Sequence, residues 1–521
     1  MKPPPDDRSY RRRVLSWAFY DWANHAYITT TATTYFPPYF LALAAPAFLA
    51  LQAGQTREAA ETVARDSASN VFAATVALAL LTAAVLAPVI GTLADLTDRR
   101  KAILVRLTIL GAALASSMFF LTDGRWVAAL VLYFLTQVIM NIALGLNSSL
   151  LPHTARADDM NRASSLGYAM GYVGGGMLLT INTTVYFLAD RLGITREFAV
   201  RLAFLSAGAW WAGFTIPSAI AVPEPAILSR GRTRGKATLR DSLAQIAGTI
   251  RAIRRYRELF KMLIAFWFYM EGVGAIILLA TAYGAALGLD MAVLIATLLM
   301  TQFVAFPYAI LFGRIPDPSN RWRGAFLAML VWTALTLPLA GIYARSAGPL
   351  GIPATLLLLA ADQAAGALFS ATLGRVLFTP LAARIDTKGA VVAGLLIYLI
   401  VPVWGFFLAT RAEFIMLGWL VGTVQGGTQA LSRTIYARLS PPARSGEFFG
   451  LYGLSEKFAG ILGPALYALV GEATRSPKSS ILSIAVFFLA GIVLLLRVDV
   501  EAGARIAAEE ELAAEASLGR A

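Results

Sequence analysis

The chain has 521 residues, of which 58% are hydrophobic and 14% are charged, and its formal net charge is +13. A soluble protein of this length carries about a quarter charged residues, whereas here the charges form short islands between apolar runs of about 20 residues, the length that crosses a bilayer as a helix. The runs are continuously apolar, which excludes an alternating transmembrane barrel as well as a soluble globular protein. With no cysteine and two histidines, the sequence offers no disulfide or cysteine site and too few histidines for a histidine metal site, so we expect neither metal nor cofactor.

The first apolar stretch, residues 16–40, is unusually polar for a membrane segment, because it carries Asp21, Asn24, Tyr27 and a run of threonines. An acid in hydrocarbon is costly unless it faces a partner or a water-filled cavity, so such a residue is a functional candidate. Asp21 follows Arg13 by eight residues, about 12 Å along a helix. We therefore expect Asp21 and Asn24 to belong to an inner gate or proton exit, and Tyr27 to face the cargo.

The distribution of apolar runs predicts fourteen membrane spans. They are 14–44, 71–95, 102–122, 126–150, 164–189, 200–222, 259–287, 291–312, 324–344, 353–380, 389–409, 413–432, 446–470 and 479–497. If the connections after odd-numbered spans lie outside, the inner connections hold roughly threefold more Lys and Arg than the outer ones, and this bias places both termini in the cytoplasm. We expect a multi-pass protein of the cell (inner or plasma) membrane.

The largest basic island follows the sixth span and divides the chain into two halves. Its basic residues are Arg230, Arg232, Arg234, Lys236, Arg240, Arg251, Arg254, Arg255 and Arg257. We interpret it as a cytoplasmic loop, part of which lies as an amphipathic helix on anionic lipid headgroups. Nucleic acid is the weaker alternative, because no nucleic-acid-binding fold accompanies the island. The predicted domains are thus residues 1–222 with a cytoplasmic N-terminal tail, the loop 223–258, the second bundle 259–498 and a cytoplasmic tail 499–521.

Few charged residues remain inside the predicted spans, and those that do are candidates for a transport pathway. Glu271, Glu456 and Lys457 lie roughly 15–18 Å deep, and Lys457 is predicted to be the only basic residue within a span. Polar residues on other spans could join them at the midplane: Gln137, Asn141, Gln302, Gln425 and Gln429. Two plainer interpretations stay open, namely hydrogen bonds between helices for the amides and a mutually neutralising pair for Glu456 and Lys457.

A loop motif stands at the inner end of the second span, with the sequence GTLADLTDRRK from Gly91 to Lys101. A glycine there permits close helix approach, and Asp95, four residues later, can cap the N-terminus of a neighbouring helix. The segment resembles the loop motif of the major facilitator superfamily, G-x-L-A-D-x-x-x-R-R-K, with Asp98 where a glycine is commoner. The resemblance implies that Gly91, Asp95, Arg99 and Arg100 form a gating motif that stabilises an outward-open state.

The same resemblance implies an all-α membrane protein with two six-helix bundles related by a repeat. Fourteen spans are two more than that fold usually has, so we expect an inserted helix pair near 324–380. Two degraded copies of the loop motif, at 313–321 and 379–388, leave open which pair is inserted.

Three further stretches resemble one branch of this superfamily, the vacuolar amino-acid effluxer-like, autophagy-related branch. They are YDWANHAY from Tyr20 with FPPYF from Phe36, the segment 151–176, and QGGTQALSR from Gln425 continuing to residues 447–464. His25 replaces a serine of the family pattern, and Glu271 stands where an aspartate is usual.

The resemblance implies a carrier of amino acids, and the residues add a mechanism. We expect an efflux-type, proton-coupled secondary transporter in which Glu271 or Glu456 titrates and Lys457 binds a carboxylate. Two alternatives stay open: a carrier of amphiphiles such as lysolipids or cell-wall fragments, and a scaffold or sensor with a packed interior. No catalytic constellation is visible, so an enzyme is not expected. We further expect a monomer that binds a small-molecule substrate, protons and lipid but no nucleic acid.

Overall fold

The computed structural model describes residues 7–50, 56–225, 238–252, 254–346, 348, 350–458, 460 and 462–519. This part of the chain is helical and contains no strand, which confirms the predicted all-α class. Four basic residues of the central loop, Arg230, Arg232, Arg234 and Lys236, lie outside the described residues. The side chains of Glu456 and Lys457 also lie outside the description, although their backbone is helical.

The first half is built from helices that begin near the predicted spans. They are α1 (Asp7–Tyr27), α2 (Phe36–Leu49), α3 (Arg57–Thr97), α4 (Arg100–Ser117), α5 (Trp126–Ser149), α6 (Leu151–Thr154), α7 (Met160–Phe187) and α8 (Arg196–Ala221). A π-helical stretch, Ile28–Tyr35, joins α1 to α2. Its wider turns come immediately before Pro37 and Pro38, which lack the N–H groups that α-helical carbonyls at this point would need.

The remainder of the described chain is also built from helices. Its helices are α9 (Leu239–Arg251), α10 (Arg257–Ala286), α11 (Met291–Arg314), α12 (Arg323–Ser346), α13 (Ile352–Phe369), α14 (Arg375–Ala382), α15 (Thr387–Phe407), α16 (Arg411–Leu439), α17 (Ser445–Phe458), α18 (Leu462–Thr474), α19 (Pro477–Ser483), α20 (Ala485–Leu496) and α21 (Val500–Gly519). We call α10–α20 the second half, because α9 precedes it as a linker and α21 follows it as a tail.

A helical segment occurs at each of the fourteen predicted spans, and ten of the described helices are long and apolar enough to cross a membrane. The segments outside those ten are α1–α2, α7, α16 and α17–α18. They are less apolar or broken, and they carry the polar contacts that join the two halves. The count of fourteen spans stays a prediction.

The packing of the second half repeats that of the first. Helix α4 packs against α5 and α8, and α15 packs in the same way against α16 and the α19–α20 segment. Helices α12 and α13–α14 pack on one another and on α16, outside this repeated core. The arrangement supports the predicted insertion near 324–380, while the domain boundaries stay a prediction.

The two halves meet along two pairs of helices, α3 with α17 and α7 with α11, and α7 also contacts α16. We call the end of the bundle that carries the start of α1, the α3–α4 turn, α9 and α21 the inner end. The hydrogen bonds and ion pairs that join the halves are concentrated there.

Candidate functional site

At the inner end, the carboxylate of Asp95 binds the N-terminus of α17, and this is the first contact between the two halves. The carboxylate accepts hydrogen bonds from the backbone N–H groups of Gly446 at 3.0 Å and Glu447 at 2.8 Å. Arg100 donates to the same carboxylate and, through Nη2, to the carbonyl of Ala443 at 2.6 Å. A carboxylate at this position satisfies unpaired N–H groups and complements the helix dipole. A first-half residue therefore holds a second-half helix, in the geometry that the loop motif predicts.

Close backbone approach at this layer requires glycine. A Cβ on Gly91 would lie 2.0 Å from the carbonyl oxygen of Gly446, a distance that no packing tolerates. Asp98, the residue directly after α3, has a φ of 52°, which is the left-handed conformation that glycine adopts most easily. Arg99, the remaining residue of the predicted gating motif, is exposed.

The second half contains a counterpart of this contact. A Cβ on Gly313, near the inner end of α11, would lie 2.3 Å from the hydroxyl of Ser165 on α7. Asp317, four residues after Gly313, pairs with Arg162 of the first half. Of the two degraded motif copies, the segment 313–321 thus occupies the position that corresponds to the Gly91 motif.

Deeper in the protein, a buried ion pair joins the halves. Arg433 on α16 donates through Nη1 to Asp21 on α1 at 3.1 Å, and the two side chains are 2% and 1% exposed. Asp21 also accepts a hydrogen bond from Nδ2 of Asn147 at 3.1 Å. Two charges removed from water must be compensated by partners of this kind. The pair therefore links α1 of the first half to α16 of the second, and the inner-gate role expected for Asp21 stays a prediction.

Arg433 is held by more than its carboxylate. Its Nε donates to the Ser164 hydroxyl and its Nη2 to the Ser164 carbonyl, each at 2.9 Å. The guanidinium lies 4.8 Å from the ring centroid of Trp17 and 4.5 Å from that of Tyr168, which is within cation–π range. Arg433 thus bridges α16 to α1 and α7 at once.

The prediction that Lys457 is the only basic residue within a span is wrong, because predicted spans also contain others, such as Arg106, Lys261 and Arg375, and because a further arginine is buried deep in a longer helix. Helix α16 continues to Leu439, seven residues beyond the predicted end, and Arg433 lies inside it. The charge of Arg433 itself lowers the hydropathy of its window, so the predicted span ends at residue 432. The signal that could have found it is the need of Asp21 for a buried partner.

Four predicted pathway residues pack inside the first half. Tyr27 is fully buried and its ring stacks on Trp211 with centroids 5.2 Å apart, so it does not face a central cavity. Asn24 is fully buried, and neither of its side-chain polar atoms has a partner at normal hydrogen-bond distance. Asn141 donates to the carbonyl of Gln137 at 2.8 Å, a bond within one helix. This bond does not match the open alternative for Asn141, which is a hydrogen bond between helices.

A cavity of about 120 Å³ lies between α10, α11 and α16 on the outer side of the ion pair. Its wall is mostly apolar, with Thr297, Thr301, Gln302 and Gln425 as polar members. All of its lining residues belong to the second half, and the volume is below the roughly 300–1,000 Å³ of drug-sized sites. Gln429, one turn further along α16, is half-buried and does not line it.

Glu271 lies on α10, and its carboxylate contacts the break between α17 and α18. Helix α17 ends at Phe458 and α18 begins at Leu462. The fully buried Glu271 accepts hydrogen bonds from the N–H groups of Gly460 at 3.1 Å and Gly463 at 2.9 Å. Trp267 donates to its other oxygen at 3.1 Å. The carboxylate therefore caps the N-terminus of α18, and none of the described cationic side chains forms an ion pair with it.

Glu456 and Lys457 fall in the last turn of α17, directly before this break. Because their side chains lie outside the described residues, their roles stay predictions. Among the residues that the structure describes, no group of three or more histidine, aspartate or glutamate side chains is placed to hold a metal ion.

Comparison with known proteins gives a consistent picture. A family model described as vacuole effluxer Atg22 like matches residues 9–356 and 364–508. The chain is 27% identical to an uncharacterized MFS-type transporter, YxiO, of Bacillus subtilis (strain 168), over 96% of this chain and 98% of that protein. It is 25% identical to autophagy-related protein 22 of Cryptococcus neoformans var. neoformans serotype D (strain B-3501A), over 67% of this chain. The match spans only 54% of that fungal relative.

Solved structures show the same architecture. The fucose:proton symporter FucP of E. coli matches with a TM-score of 0.58 at 13% identity, over 94% of this chain and 100% of the symporter. The proton:xylose symporter XylE matches with a TM-score of 0.57 at 13% identity, over 95% and 97% of the two chains. At this level of identity the likeness shows a shared fold.

Proposed function

The chain belongs to the vacuole effluxer Atg22-like family of major facilitator transporters, and from that premise we propose that it exports amino acids by alternating access coupled to protons. The family is one of transporters, not enzymes. The observation that carries the choice of cargo is the buried Asp21–Arg433 pair between the halves. An amino acid presents the same two charges, a carboxylate and an ammonium, so it can replace each partner's contact when the gate opens.

Alternating access requires an inner end that closes firmly and opens reversibly. Here the closure consists of discrete polar contacts, chiefly Asp95 with the first turn of α17 and Asp21 with Arg433. Contacts of this kind have two distinct arrangements, made and broken, as a two-state gate needs. Because these contacts are made in the structure, it corresponds to a state that is closed at the inner end.

The proposed coupling residue is Glu271. Its carboxylate receives two backbone hydrogen bonds at the α17–α18 break, and such charge-assisted bonds weaken when the acid takes up a proton. Protonation would therefore loosen the second half at a broken helix, the type of element that lines the site in many secondary transporters. Glu456 stays an alternative proton carrier.

We expect Glu271→Gln to separate exchange from proton-driven transport. The N–H groups of Gly460 and Gly463 both donate to Oε2 of Glu271, so a glutamine whose carbonyl oxygen takes that place can accept both bonds, but it cannot take up a proton. In proteoliposomes the variant should therefore keep amino-acid exchange within about threefold of wild type while losing the response to an imposed pH gradient. The exposed Glu472→Gln on α18 is the matched control and should behave as wild type. A full gradient response in Glu271→Gln would assign coupling to another group.

The proposed cargo is tested by flux of a panel of labelled amino acids from liposomes that contain the purified protein, with and without a pH gradient. Saturable, gradient-stimulated flux of amino acids is the expected result. Transfer of fluorescent lysolipid without amino-acid flux would instead support the amphiphile carrier, and no flux of either would support the scaffold. The cavity of about 120 Å³ favours the small solute over an acyl chain.

We also propose that the protein lies in the plasma membrane with the inner end toward the cytoplasm. The inner end carries the start of α1, the basic residues around α9, and α21, which the positive-inside rule places in the cytoplasm. The monomeric state stays a prediction.

A further inference from the structure

Helix α9, which links the two halves, is amphipathic and exposes an apolar face. Leu239, Leu243 and Ile250 are 62%, 51% and 55% exposed, and with the half-buried Ile246 their spacing of four, three and four residues places them on one side of the helix. Thr238 and Asp241 form a capping box that satisfies backbone N–H groups at the start of the helix.

The face of α9 that adjoins this apolar face forms hydrogen bonds with the inner gate. Gln245 donates through Nε2 to Glu447 at 2.7 Å, and Thr249 donates through its hydroxyl to the other oxygen of the same carboxylate. Glu447 is fully buried, and its backbone N–H is the group that Asp95 holds. Because α9 also packs on α3, it lies across both halves at the point where the inner end closes.

The third face of α9 is basic. Arg240 and Arg251 are exposed. They border one edge of the apolar face, whereas Gln245 and Thr249 border its other edge. Arg254 and Arg255 follow directly and are also exposed. An apolar stripe bordered by arginines is the pattern of a helix that lies in the membrane interface and attracts anionic headgroups.

We propose that α9 is a membrane-surface latch that binds anionic phospholipid and thereby stabilises the closed inner gate. Lipid fixes the apolar face in the interface, and in that position the adjacent face presents Gln245 and Thr249 to Glu447. When the headgroups are neutral, α9 leaves this position more readily and the gate opens more often. The inference rests on the gate described above but not on the identity of the cargo.

The test measures the inner gate directly. Because the chain has no cysteine, Asp158→Cys in the first half and Arg384→Cys in the second, both exposed at the inner end, give a unique pair of spin labels. The full-length protein is placed in nanodiscs of phosphatidylcholine alone or with 30% phosphatidylglycerol. We expect phosphatidylglycerol to raise the short-distance, closed population at least twofold, whereas soluble glycerophosphoglycerol should have no effect.

Variants divide the latch into its parts. Arg240→Gln with Arg251→Gln, and separately Leu243→Gln with Ile250→Gln, should abolish the lipid response, while the outer-loop controls Arg191→Gln and Leu192→Gln should keep it. Gln245→Leu with Thr249→Val should also lose the response, although a label at residue 243 still reports contact with lipid. These readouts are distances, so failure of amino-acid transport would not affect them. Equal closed populations in both lipid mixtures, or an undiminished response in the arginine variant, would overturn the proposal.

Discussion

Replacing Arg433 with methionine is expected to reduce the free energy of unfolding by about 3–5 kcal/mol and to reduce amino-acid flux to background. The change leaves the buried carboxylate of Asp21 with only the amide of Asn147 as its partner, and it removes the bridge from α16 to Ser164 on α7. Thermal unfolding followed by tryptophan fluorescence measures the first effect, and flux from proteoliposomes measures the second.

Removing the other charge of the pair, in Asp21→Asn, should reduce the stability less. In Asp21→Asn the guanidinium of Arg433 keeps its two hydrogen bonds to Ser164 and its contacts with two aromatic rings. We therefore expect a smaller loss of stability than in Arg433→Met, together with loss of transport. Arg411→Met, at the exposed outer end of the same helix, is the matched control and should change neither property. Equal stabilities of wild type and Arg433→Met would mean that the pair does not form.

Gly91→Ala is expected to open the inner end. The new Cβ would lie 2.0 Å from the carbonyl oxygen of Gly446, and because that atom belongs to the backbone, α3 and α17 must separate. Separation breaks the bonds from Gly446 and Glu447 to Asp95, which weakens the hold of the first half on α17. The label pair at residues 158 and 384 should then show a predominantly long distance in the lipid mixture that closes wild type.

The control for this change is Gly453 on α17, the helix that Gly91 of α3 approaches. A Cβ on Gly453 meets no atom within 4 Å, so Gly453→Ala should leave the gate closed and should stabilise the helix by up to about 1 kcal/mol. Transport by Gly91→Ala should fall with the loss of closure. A wild-type distance distribution in Gly91→Ala would contradict the role of this contact.

The helical class, the helix positions and the capping contact of Asp95 with a neighbouring helix follow from the sequence, because hydropathy and the spacing of the loop motif are local properties. The partner of Asp21 is not local, since Arg433 lies 412 residues away. A hydropathy window also averages over all sides of a helix, so it could not show that Tyr27 turns toward Trp211 in the interior of the first half.

Glu271 illustrates a different limit. Its depth in the membrane was predictable from its position in a span, and that depth alone favoured a titrating acid. Its partners are backbone N–H groups at the break between α17 and α18. No pattern of side chains in the sequence predicts that a carboxylate caps a helix there. The break leaves two glycines, at 460 and 463, and Pro464 in the sequence, and both residue types are common in membrane helices.

Amino-acid counterflow tests the central proposal most directly. Liposomes with the purified protein are loaded with an unlabelled amino acid and diluted into a trace of the labelled one, in the absence of ATP and of any ion gradient. A carrier that works by alternating access should accumulate label transiently, and Arg433→Met should not. Absence of accumulation for every amino acid tested, with wild-type protein shown to be folded, would contradict the proposal.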